Sequence, residues 1–292
     1  MNKWQIKKPV NFIRSLLNEY HKLTVLRSLT SFSHLKLNSI NNNTPNKLKI
    51  TQSKNNTTTS TSPQNIPLHL VTAFSGFSKE NFSKRKLPIL NKNSYIFGDD
   101  ALFTASKKCA DIMGVADGVG GWREMGIDPS KFSSSLMWQC KRLVEQENEL
   151  FNNAKNITNQ TPLDILINSY NALLENKESN LFGSSTACII VFNRESKYMY
   201  SANLGDSGFV IIRNNQIVHR SQEQYHYFNA PFQMAILPYM SSGYFNDNPK
   251  SASVSSFELA EGDFIVMATD GLWDNLSENA LLVKISNIKV IS

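Results

Sequence analysis

The sequence predicts an α+β fold with antiparallel sheets. Candidate strands outnumber candidate helices along the 292 residues. Most links between neighbouring strand candidates are too short for the crossover connection that parallel strands require. Residues 185–219 are typical of an antiparallel meander, because short apolar runs alternate with turn residues such as Asn214-Asn215. Together these observations favour antiparallel sheets with separate helices.

Two N-terminal segments precede the predicted domain. Residues 1–35 are basic and nearly free of acids, and apolar residues such as Phe12, Leu16 and Tyr20 recur at helical spacing. This pattern resembles a mitochondrial transit peptide, and a disordered basic tail is the alternative. Residues 40–66 are rich in Asn, Thr and Ser and bury little apolar surface, so we predict a disordered linker.

The charge distribution divides the chain in a similar place. The whole chain has a net charge of +6. Residues 1–98 contain fifteen Lys and Arg and two acids, a net charge of +13, which leaves −7 for the remainder. A basic arm therefore precedes an acidic body. We expect residues 1–66 to be a targeting segment and linker, and residues 67–292 to form the domain.

From Leu68 onwards, apolar runs and capping residues define the predicted elements. Asp128-Pro129 predicts a helix start, because Asp caps a helix and Pro fits its first position. Thr161-Pro162-Leu163-Asp164 is a capping-box pattern that predicts a second helix, and Ser277 predicts the cap of a third. Residues 225–255, which contain three prolines, are predicted to be irregular. The strand candidates are His69–Phe74, the run that follows the acid pair Asp99-Asp100, the run that ends at Asp117, Thr186–Val191, Tyr198–Ala202, Phe209–Arg213, Ile217–His219 and the run that leads to Asp270.

Two of these strands each end in an acidic residue followed by glycine. The first ends at Asp117-Gly118 and the second leads to Asp270-Gly271. If the strands lie side by side, the two carboxylates converge and repel each other unless a cation or a shared proton compensates. The sequence therefore suggests an oxygen-lined metal site and hydrolytic chemistry.

Three further acids stand at turns or strand ends and extend the candidate site. They are Asp99, Asp100 and Asp206. Mg²⁺ and Mn²⁺ prefer oxygen ligands, and a glycine such as Gly118 lets a backbone carbonyl approach a cation closely. Asp-Gly is also a common turn dipeptide, so any one of these motifs alone is more often a turn than a ligand.

Other chemistries are not indicated. His219 and His226 lack an H-E-x-x-H motif or a cysteine partner, which disfavours zinc. The sequence contains no G-x-S-x-G nucleophile elbow and no phosphate-binding loop with its lysine. No apolar run approaches the roughly 18 residues of a membrane helix. Cys109, Cys140 and Cys188 are far apart and form no C-x-x-C motif, which favours a reducing compartment.

The ordered set of motifs resembles the PPM family, the type-2C protein serine/threonine phosphatases. Val119, where most members have His, resembles the mitochondrial branch of that family, in agreement with the basic start of the chain. The resemblance covers about residues 67–292. The matching motifs are Gly98-Asp99-Asp100, Val115-Ala116-Asp117-Gly118-Val119-Gly120-Gly121, Gly183-Ser184-Ser185-Thr186-Ala187, Asn203-Leu204-Gly205-Asp206-Ser207-Gly208 and Ala268-Thr269-Asp270-Gly271-Leu272-Trp273-Asp274.

The resemblance implies a sandwich of two antiparallel sheets flanked by helices and a centre of two Mn²⁺ or Mg²⁺ ions per subunit. Asp117 would bridge the two metals, the Gly118 carbonyl would bind one, and Asp270 the other. Asp206 matches the position that helps to hold a third, weaker metal. Asp99 and Asp100 match the catalytic acidic pair that orients the attacking water. Phosphoserine and phosphothreonine proteins would be the substrates, and the mitochondrial matrix the location.

Two departures from the family pattern leave alternatives open. Tyr95 stands where many members have a phosphate-gripping Arg, so the substrate anchor is unassigned. The chain stops at Ser292 without the family's last metal-binding Asp, which suggests a truncated C-terminus. A catalytically impaired relative that binds phosphoproteins is therefore the alternative to an active phosphatase. Nucleic-acid binding through the basic arm is a third hypothesis, which we disfavour because the arm contains no recognised module.

Overall fold

The computed structural model describes residues 23–29, 68–76, 89–91, 94–176, 181–238 and 243–289. Its strands are β1 Leu23–Leu29, β2 His69–Ser75, β3 Ile89–Asn91, β4 Ser94–Phe97, β5 Asp100–Ser106, β6 Ala110–Asp117, β7 Gly183–Ser185, β8 Ala187–Asn193, β9 Tyr198–Leu204, β10 Gly208–Arg213, β11 Gln216–Arg220, β12 Tyr225–Tyr227, β13 Ala230–Pro231, β14 Met234–Ile236, β15 Ser253–Glu258 and β16 Phe264–Ala268. Its α-helices are α1 Pro129–Gln146, α2 Glu149–Asn152, α3 Thr161–Glu175, α4 Asp270–Trp273 and α5 Glu278–Lys289, and 3-10 turns occupy Gly120–Met125, Ala154–Asn156 and Pro249–Ser251.

Two antiparallel sheets dominate the architecture. The first has five strands in the order β11-β10-β16-β1-β2, and the second has seven in the order β15-β9-β8-β6-β5-β4-β3. Every strand pair in both sheets is antiparallel. Two short pairs, β12 with β13 and β14 with β7, lie outside the main sheets. The four strands predicted in residues 185–219 are present as β8, β9, β10 and β11, but they do not form one meander. β8 pairs with β9 in the second sheet and β10 pairs with β11 in the first, so the turn between β9 and β10 passes from one sheet to the other.

The two sheets pack face to face. Successive residues of a strand point to opposite faces, so each strand of the second sheet contributes to two cores. On β6, Met113 and Val115 pack against the first sheet, whereas Ile112 and Ala116 face the helices. All four side chains are almost completely buried. This two-sided burial explains why β6 is apolar throughout rather than alternating.

Helices cover the outer face of each sheet. On α1, Phe132, Leu136 and Cys140 pack into the core that α3 and the second sheet also line. On the opposite side, Leu281 and Ile285 of α5 pack against the first sheet. The order of layers is therefore helices, second sheet, first sheet, helix. The α+β sandwich that we predicted is confirmed.

The predicted helix starts agree with the structure, with one difference in capping. Asp128 caps α1, because its carboxylate accepts a hydrogen bond of 3.0 Å from the Ser130 amide. The capping box predicted at Thr161 is not formed. Gln160 precedes α3 without a side-chain cap, and the Thr161 hydroxyl instead accepts a hydrogen bond from the Thr158 amide at 3.0 Å. The hydroxyl therefore stabilises the preceding turn instead of the helix end.

The first sheet contains a strand that the sequence did not predict. Strand β1 lies in the segment that we expected to precede the folded domain, and it pairs with both β16 and β2. The rest of residues 1–66 lies outside the described residues, so the targeting segment and linker stay predictions. Residues 225–255, predicted to be irregular, contain four short strands, because β12, β13, β14 and the start of β15 fall there. Within the described residues, no helix is long and apolar enough to span a membrane.

Candidate active site

Strand register places two of the predicted acids directly opposite each other. In the antiparallel pair of β5 and β6, Asp100 is the partner of Asp117. The following backbone is tied across the same strand end, because the Gly118 amide donates a hydrogen bond of 3.1 Å to the Asp99 carbonyl oxygen. Asp100 is buried, with 3% of its surface exposed, and Asp117 is half-buried. These acids therefore lie together at one end of the second sheet.

The other two predicted acids meet at one end of the first sheet. Gly208 of β10 pairs with Ala268 of β16, so the residues before β10 and after β16 lie at the same edge. Asp206 and Asp270 occupy these positions. Burial and, after it, the negative charge of Asp270 raise the pKa of the Asp206 carboxyl to about 7, with smaller contributions from other acids nearby. The pair is therefore close enough to repel.

Hydroxyl groups connect the two sheets at this end of the sandwich. The Thr269 hydroxyl of the first sheet donates a hydrogen bond of 3.0 Å to the Asp100 carboxylate of the second sheet. The Thr186 hydroxyl accepts a hydrogen bond from the Asp117 amide at 3.1 Å and lies 2.7 Å from the Ser207 hydroxyl. Ser207 directly follows Asp206. Both pairs of acids consequently belong to one site.

Two glycines are required by the close approach of other chain segments. A Cβ atom on Gly118 would lie 2.5 Å from the Pro129 carbonyl oxygen and 2.7 Å from that of Asp99. A Cβ atom on Gly205 would lie 2.6 Å from the Phe232 carbonyl oxygen, and the φ of Gly205 is +97°, in the left-handed region. The turns that carry Asp117 and Asp206 therefore have no room for a larger residue.

A cation lies beside the acidic cluster, and sequence reasoning missed it. Arg123 follows the glycine turn and binds both carboxylate oxygens of Asp99 through its two terminal nitrogens; the Nη1–Oδ2 hydrogen bond measures 2.8 Å. The Arg123 side chain is 49% exposed, and that of Asp99 is 17% exposed. The only available signal was that Arg123 lies three residues after Gly120, in a segment that the glycine motif does not include.

A buried polar network supports the turn from the opposite side, and it too was not predicted. The Trp122 indole donates a hydrogen bond of 2.7 Å to the Ser184 hydroxyl, which donates one of 2.6 Å to the Gln233 side chain. The Val119 amide donates to the Ser184 carbonyl oxygen at 3.0 Å. Tyr244 stacks on the Trp122 ring with 4.4 Å between ring centroids. The backbone that follows Asp117 is therefore firmly anchored.

The donor chemistry of the site fits a hard divalent cation. The residues brought together offer carboxylate oxygens and, at Gly118, a backbone carbonyl, which are the ligands of Mg²⁺ and Mn²⁺. Like charges held close together, as at Asp206 and Asp270, are the arrangement that a cation offsets. Within the part of the chain that the structure describes, no three His, Cys, Asp or Glu side chains form a ready metal-binding group. The acids are instead grouped in two pairs.

The antiparallel double sheet carries acids and glycine turns at one end, and comparisons with known proteins identify the class of protein that has this arrangement. The family model for protein phosphatase 2C matches residues 92–287. A protein phosphatase PTC7 homolog of Danio rerio is 47% identical over 221 residues, which cover 75% of this chain and 70% of that protein. The protein phosphatase PTC7 homolog of Homo sapiens is also 47% identical, over 75% of this chain and 68% of its own length.

A solved structure shares the fold. The X-ray structure of the photosystem II phosphatase PBCP aligns with a TM-score of 0.53 and 28% identity, over 65% of this chain and 66% of that one. The chain therefore belongs to the protein phosphatase 2C family. It is a protein phosphatase, as the resemblance implied, and nothing in these similarities favours the catalytically impaired alternative.

Proposed function

We propose that this chain is a metal-dependent protein serine/threonine phosphatase that uses an activated water molecule. The observation that carries the proposal is the meeting of two acid pairs, Asp100 with Asp117 and Asp206 with Asp270, at one end of the sandwich. Family membership supports the same chemistry. The reaction class is hydrolysis of a phosphate monoester.

Each acid of the site has a separate role in this proposal. Asp117, the Gly118 carbonyl and Asp270 would hold two Mn²⁺ or Mg²⁺ ions, and Asp206 would help to hold a further ion. When bound, such ions lower the pKa of a water molecule and offset the charge of phosphoryl oxygens. Asp99 and Asp100 orient the attacking water. Their positions support this role, because Arg123 fixes Asp99 and Thr269 fixes Asp100.

The task of the chain in the hydrolysis itself is to position the attacking water. A water oxygen forms a bond to phosphorus while the bond from phosphorus to the serine or threonine oxygen breaks, which gives inorganic phosphate and a free hydroxyl group. Carboxylates at the site accept hydrogen bonds from the water and so aim its lone pair at phosphorus. Val119 has no proton to give, so the leaving oxygen takes its proton from solvent. No covalent intermediate with the protein is required.

The substrates and the location are also part of the proposal. Phosphoserine and phosphothreonine proteins fit a site that carries metal-ligating acids and no activated nucleophile. The basic, acid-poor composition of residues 1–35 supports import into mitochondria. Because β1 lies within this range and pairs in the first sheet, the targeting segment in this proposal ends before Leu23.

A pair of matched Asp→Asn variants tests the proposal. With a phosphoserine peptide and Mn²⁺, Asp117→Asn should lower the rate on the order of 10²-fold or more, because it removes a charged group at the reacting centre. Asp164→Asn is the control, since Asp164 is an exposed acid on α3 that accepts a hydrogen bond of 3.2 Å from the Gln160 side chain. Equal rates for Asp117→Asn and the wild type would contradict the enzymatic proposal. Calorimetric titration should show weaker Mn²⁺ binding by Asp117→Asn than by the control.

A further inference from the structure

We infer that Arg123 is the side chain that binds the phosphoryl group of the substrate, held in position by Asp99. This inference deepens the proposed function and rests on it. It assigns the substrate anchor that the sequence left open, since position 95, where the family resemblance places an arginine, is a tyrosine here.

The charge of the site requires a cation on the substrate side. A phosphorylated side chain carries about −1.5 to −2 charges at neutral pH. Asp99, Asp100, Asp117, Asp206 and Asp270 all lie at the end of the sandwich that the substrate must approach. Bound metal ions offset part of this negative charge, but carboxylates outside the metal shell still repel a phosphate dianion. An arginine meets this need, because its planar fork matches phosphate oxygens and stays charged at any physiological pH.

The backbone beneath Arg123 is fixed, whereas its side chain reaches solvent. Residues 120–125 form a 3-10 turn directly after the glycine motif. Trp122, only 1% exposed, anchors this turn through its bond to Ser184, and the Gly126 amide closes it with a hydrogen bond of 2.9 Å to the Arg123 carbonyl. The Arg123 side chain is 49% exposed. A rigid base with an accessible charged tip is the arrangement expected of a substrate-binding group.

The contact with Asp99 orients the guanidinium over the site. Both terminal nitrogens bind Asp99, whose neighbour Asp100 is the strand partner of Asp117. A Cβ atom on Gly120 would lie 3.5 Å from Nη1 of Arg123, so the guanidinium lies beside the glycine turn that follows Asp117. A guanidinium has five N–H donors and can serve a carboxylate and a phosphate oxygen at the same time. Asp99 is therefore a positioning residue for Arg123 as well as a candidate for orienting water.

Arg220 is the rival cation near the site, and its contacts make it less suitable. It binds Glu278 at 2.8 Å and lies 3.8 Å from Glu223, so two acids compensate its single charge. Its guanidinium also lies over the Trp273 ring, 5.2 Å from the centroid. Arg123 binds Asp99 through both terminal nitrogens and lies beside the glycine turn that follows Asp117. The geometry therefore favours Arg123.

Steady-state kinetics on three variants test the inference. With a phosphoserine peptide and Mn²⁺, Arg123→Ala should raise both KM and the inhibition constant for inorganic phosphate about tenfold or more, because a charge-assisted bidentate contact is lost. Arg123→Lys, which keeps the charge but not the fork, should fall between Arg123→Ala and the wild type. Arg142→Ala is the control, since Arg142 lies on α1 against Trp138 at 5.2 Å. It should leave KM and phosphate inhibition unchanged.

Two results would overturn the inference. One is a phosphate inhibition constant for Arg123→Ala within twofold of the wild-type value. The other is a fall in kcat alone, with KM and phosphate inhibition unchanged, since Arg123 would then act only through Asp99. Thermal unfolding and Mn²⁺ titration of each variant show whether the fold and the metal site are intact. An unfolded Arg123→Ala is replaced by Arg123→Gln, which keeps a polar side chain without the positive charge, and is judged by the same criteria.

The inference can fail separately from the proposed function. If the wild type hydrolyses no phosphopeptide, the proposed function fails. Binding of inorganic phosphate in the presence of Mn²⁺, measured by calorimetry, then decides the role of Arg123. Weaker binding by Arg123→Ala than by the wild type and Arg142→Ala supports it, and equal binding by all three overturns it.

Discussion

The two halves of the candidate site are held in place by different means. The Asp117 half comprises Asp99, Asp100, Asp117 and Gly118, and the Asp270 half comprises Asp206 and Asp270. In the Asp117 half, strand register places Asp100 opposite Asp117, and a backbone hydrogen bond ties Gly118 to Asp99. An ion pair with Arg123 fixes the Asp99 carboxylate. In the Asp270 half, two acids at the ends of paired strands face each other with like charges.

The two halves therefore differ in what holds their acids: protein contacts position the Asp117 half, whereas the charges of the Asp270 half call for a cation. The Asp117 half is preorganised by the protein, because Arg123 binds the Asp99 carboxylate, the Thr269 hydroxyl donates to the Asp100 carboxylate, and the Asp117 amide donates to Thr186. The Asp270 half carries an electrostatic cost that a divalent cation would relieve. Changes to the first half should therefore destabilise the protein with or without metal. Changes to the second half should act mainly through metal binding.

The largest effect is expected from crowding the Asp117 half. Gly118→Ala places a methyl group 2.5 Å from a backbone oxygen of Pro129, so the turn must move. We expect a loss of about 1–3 kcal/mol in the free energy of unfolding. A displacement of about 1 Å at the reacting centre should also lower phosphatase activity on the order of 10²-fold. Urea unfolding in EDTA and phosphopeptide assays with Mn²⁺ measure the two effects.

Gly121→Ala is the matched control, because a Cβ atom there has no neighbour within 4 Å in the described structure. It lies in the same motif and should leave both stability and activity close to the wild-type values. Equal losses in Gly118→Ala and Gly121→Ala would show that the motif is sensitive to any added side chain, which would contradict the role given to Pro129.

The next effect tests the link between the two halves. Thr269→Val removes the hydroxyl that donates to Asp100 from the opposite sheet. Thr269 is 3% exposed, and loss of a hydrogen bond to a buried charged group typically costs about 1–3 kcal/mol. We therefore expect a lower free energy of unfolding in EDTA and weaker Mn²⁺ binding by calorimetry. Thr269→Ser keeps the hydroxyl and should recover most of both losses; no recovery would assign the effect to packing.

The residues in these variants show which parts of the site were predictable. Asp117 and Asp270 were found because an apolar strand, a turn and a carboxylate follow one another within a few residues, and strand period and turn chemistry are local properties. The same local signals predicted β8 to β11 and the start of α1. The sandwich order of the sheets came from the family resemblance and not from periodicity.

The contacts that complete the site connect residues far apart in sequence. Thr269 and Asp100 are 169 residues apart, and Ser184 and Gln233 are 49 apart. Arg123 is 24 residues from Asp99. Local spacing contains no information about such pairs, because they depend on which strands become neighbours. Strand β1 was missed for the same reason, since its place between β16 and β2 is a non-local pairing.

Removing a charge from the Asp270 half should stabilise the metal-free protein, whereas Gly118→Ala and Thr269→Val should destabilise it. Asp206→Asn relieves the repulsion with Asp270, so we expect a higher melting temperature than the wild type in EDTA. The same variant should gain less stability from added Mn²⁺, because stabilisation by a ligand depends on its affinity. Thermal unfolding with EDTA and with Mn²⁺ measures both. Asp164→Asn should change neither value, and a lower melting temperature for Asp206→Asn in EDTA would remove the contrast between the halves.

The smallest expected effect concerns the acid sensitivity of the sheet that carries the Asp270 half. His219 lies on β11 between the rings of Phe209 and Phe257, with centroids 5.5 and 5.3 Å away. Burial lowers the pKa of His219 below its ordinary value of 6.5, so the folded protein disfavours the protonated ring. Since the unfolded chain takes up this proton more readily, stability is complete above pH 6.5, declines as the pH falls from 6.5 towards the lowered pKa, and loses nothing further from this group below it. His219→Gln should therefore lose less stability than the wild type between pH 8 and pH 5. At pH 8 the ring is neutral in both the folded and the unfolded state, so a difference in stability between the two proteins there measures packing alone. An equal decline in stability for both proteins between pH 8 and pH 5 would show that His219 does not contribute to the acid sensitivity of this sheet.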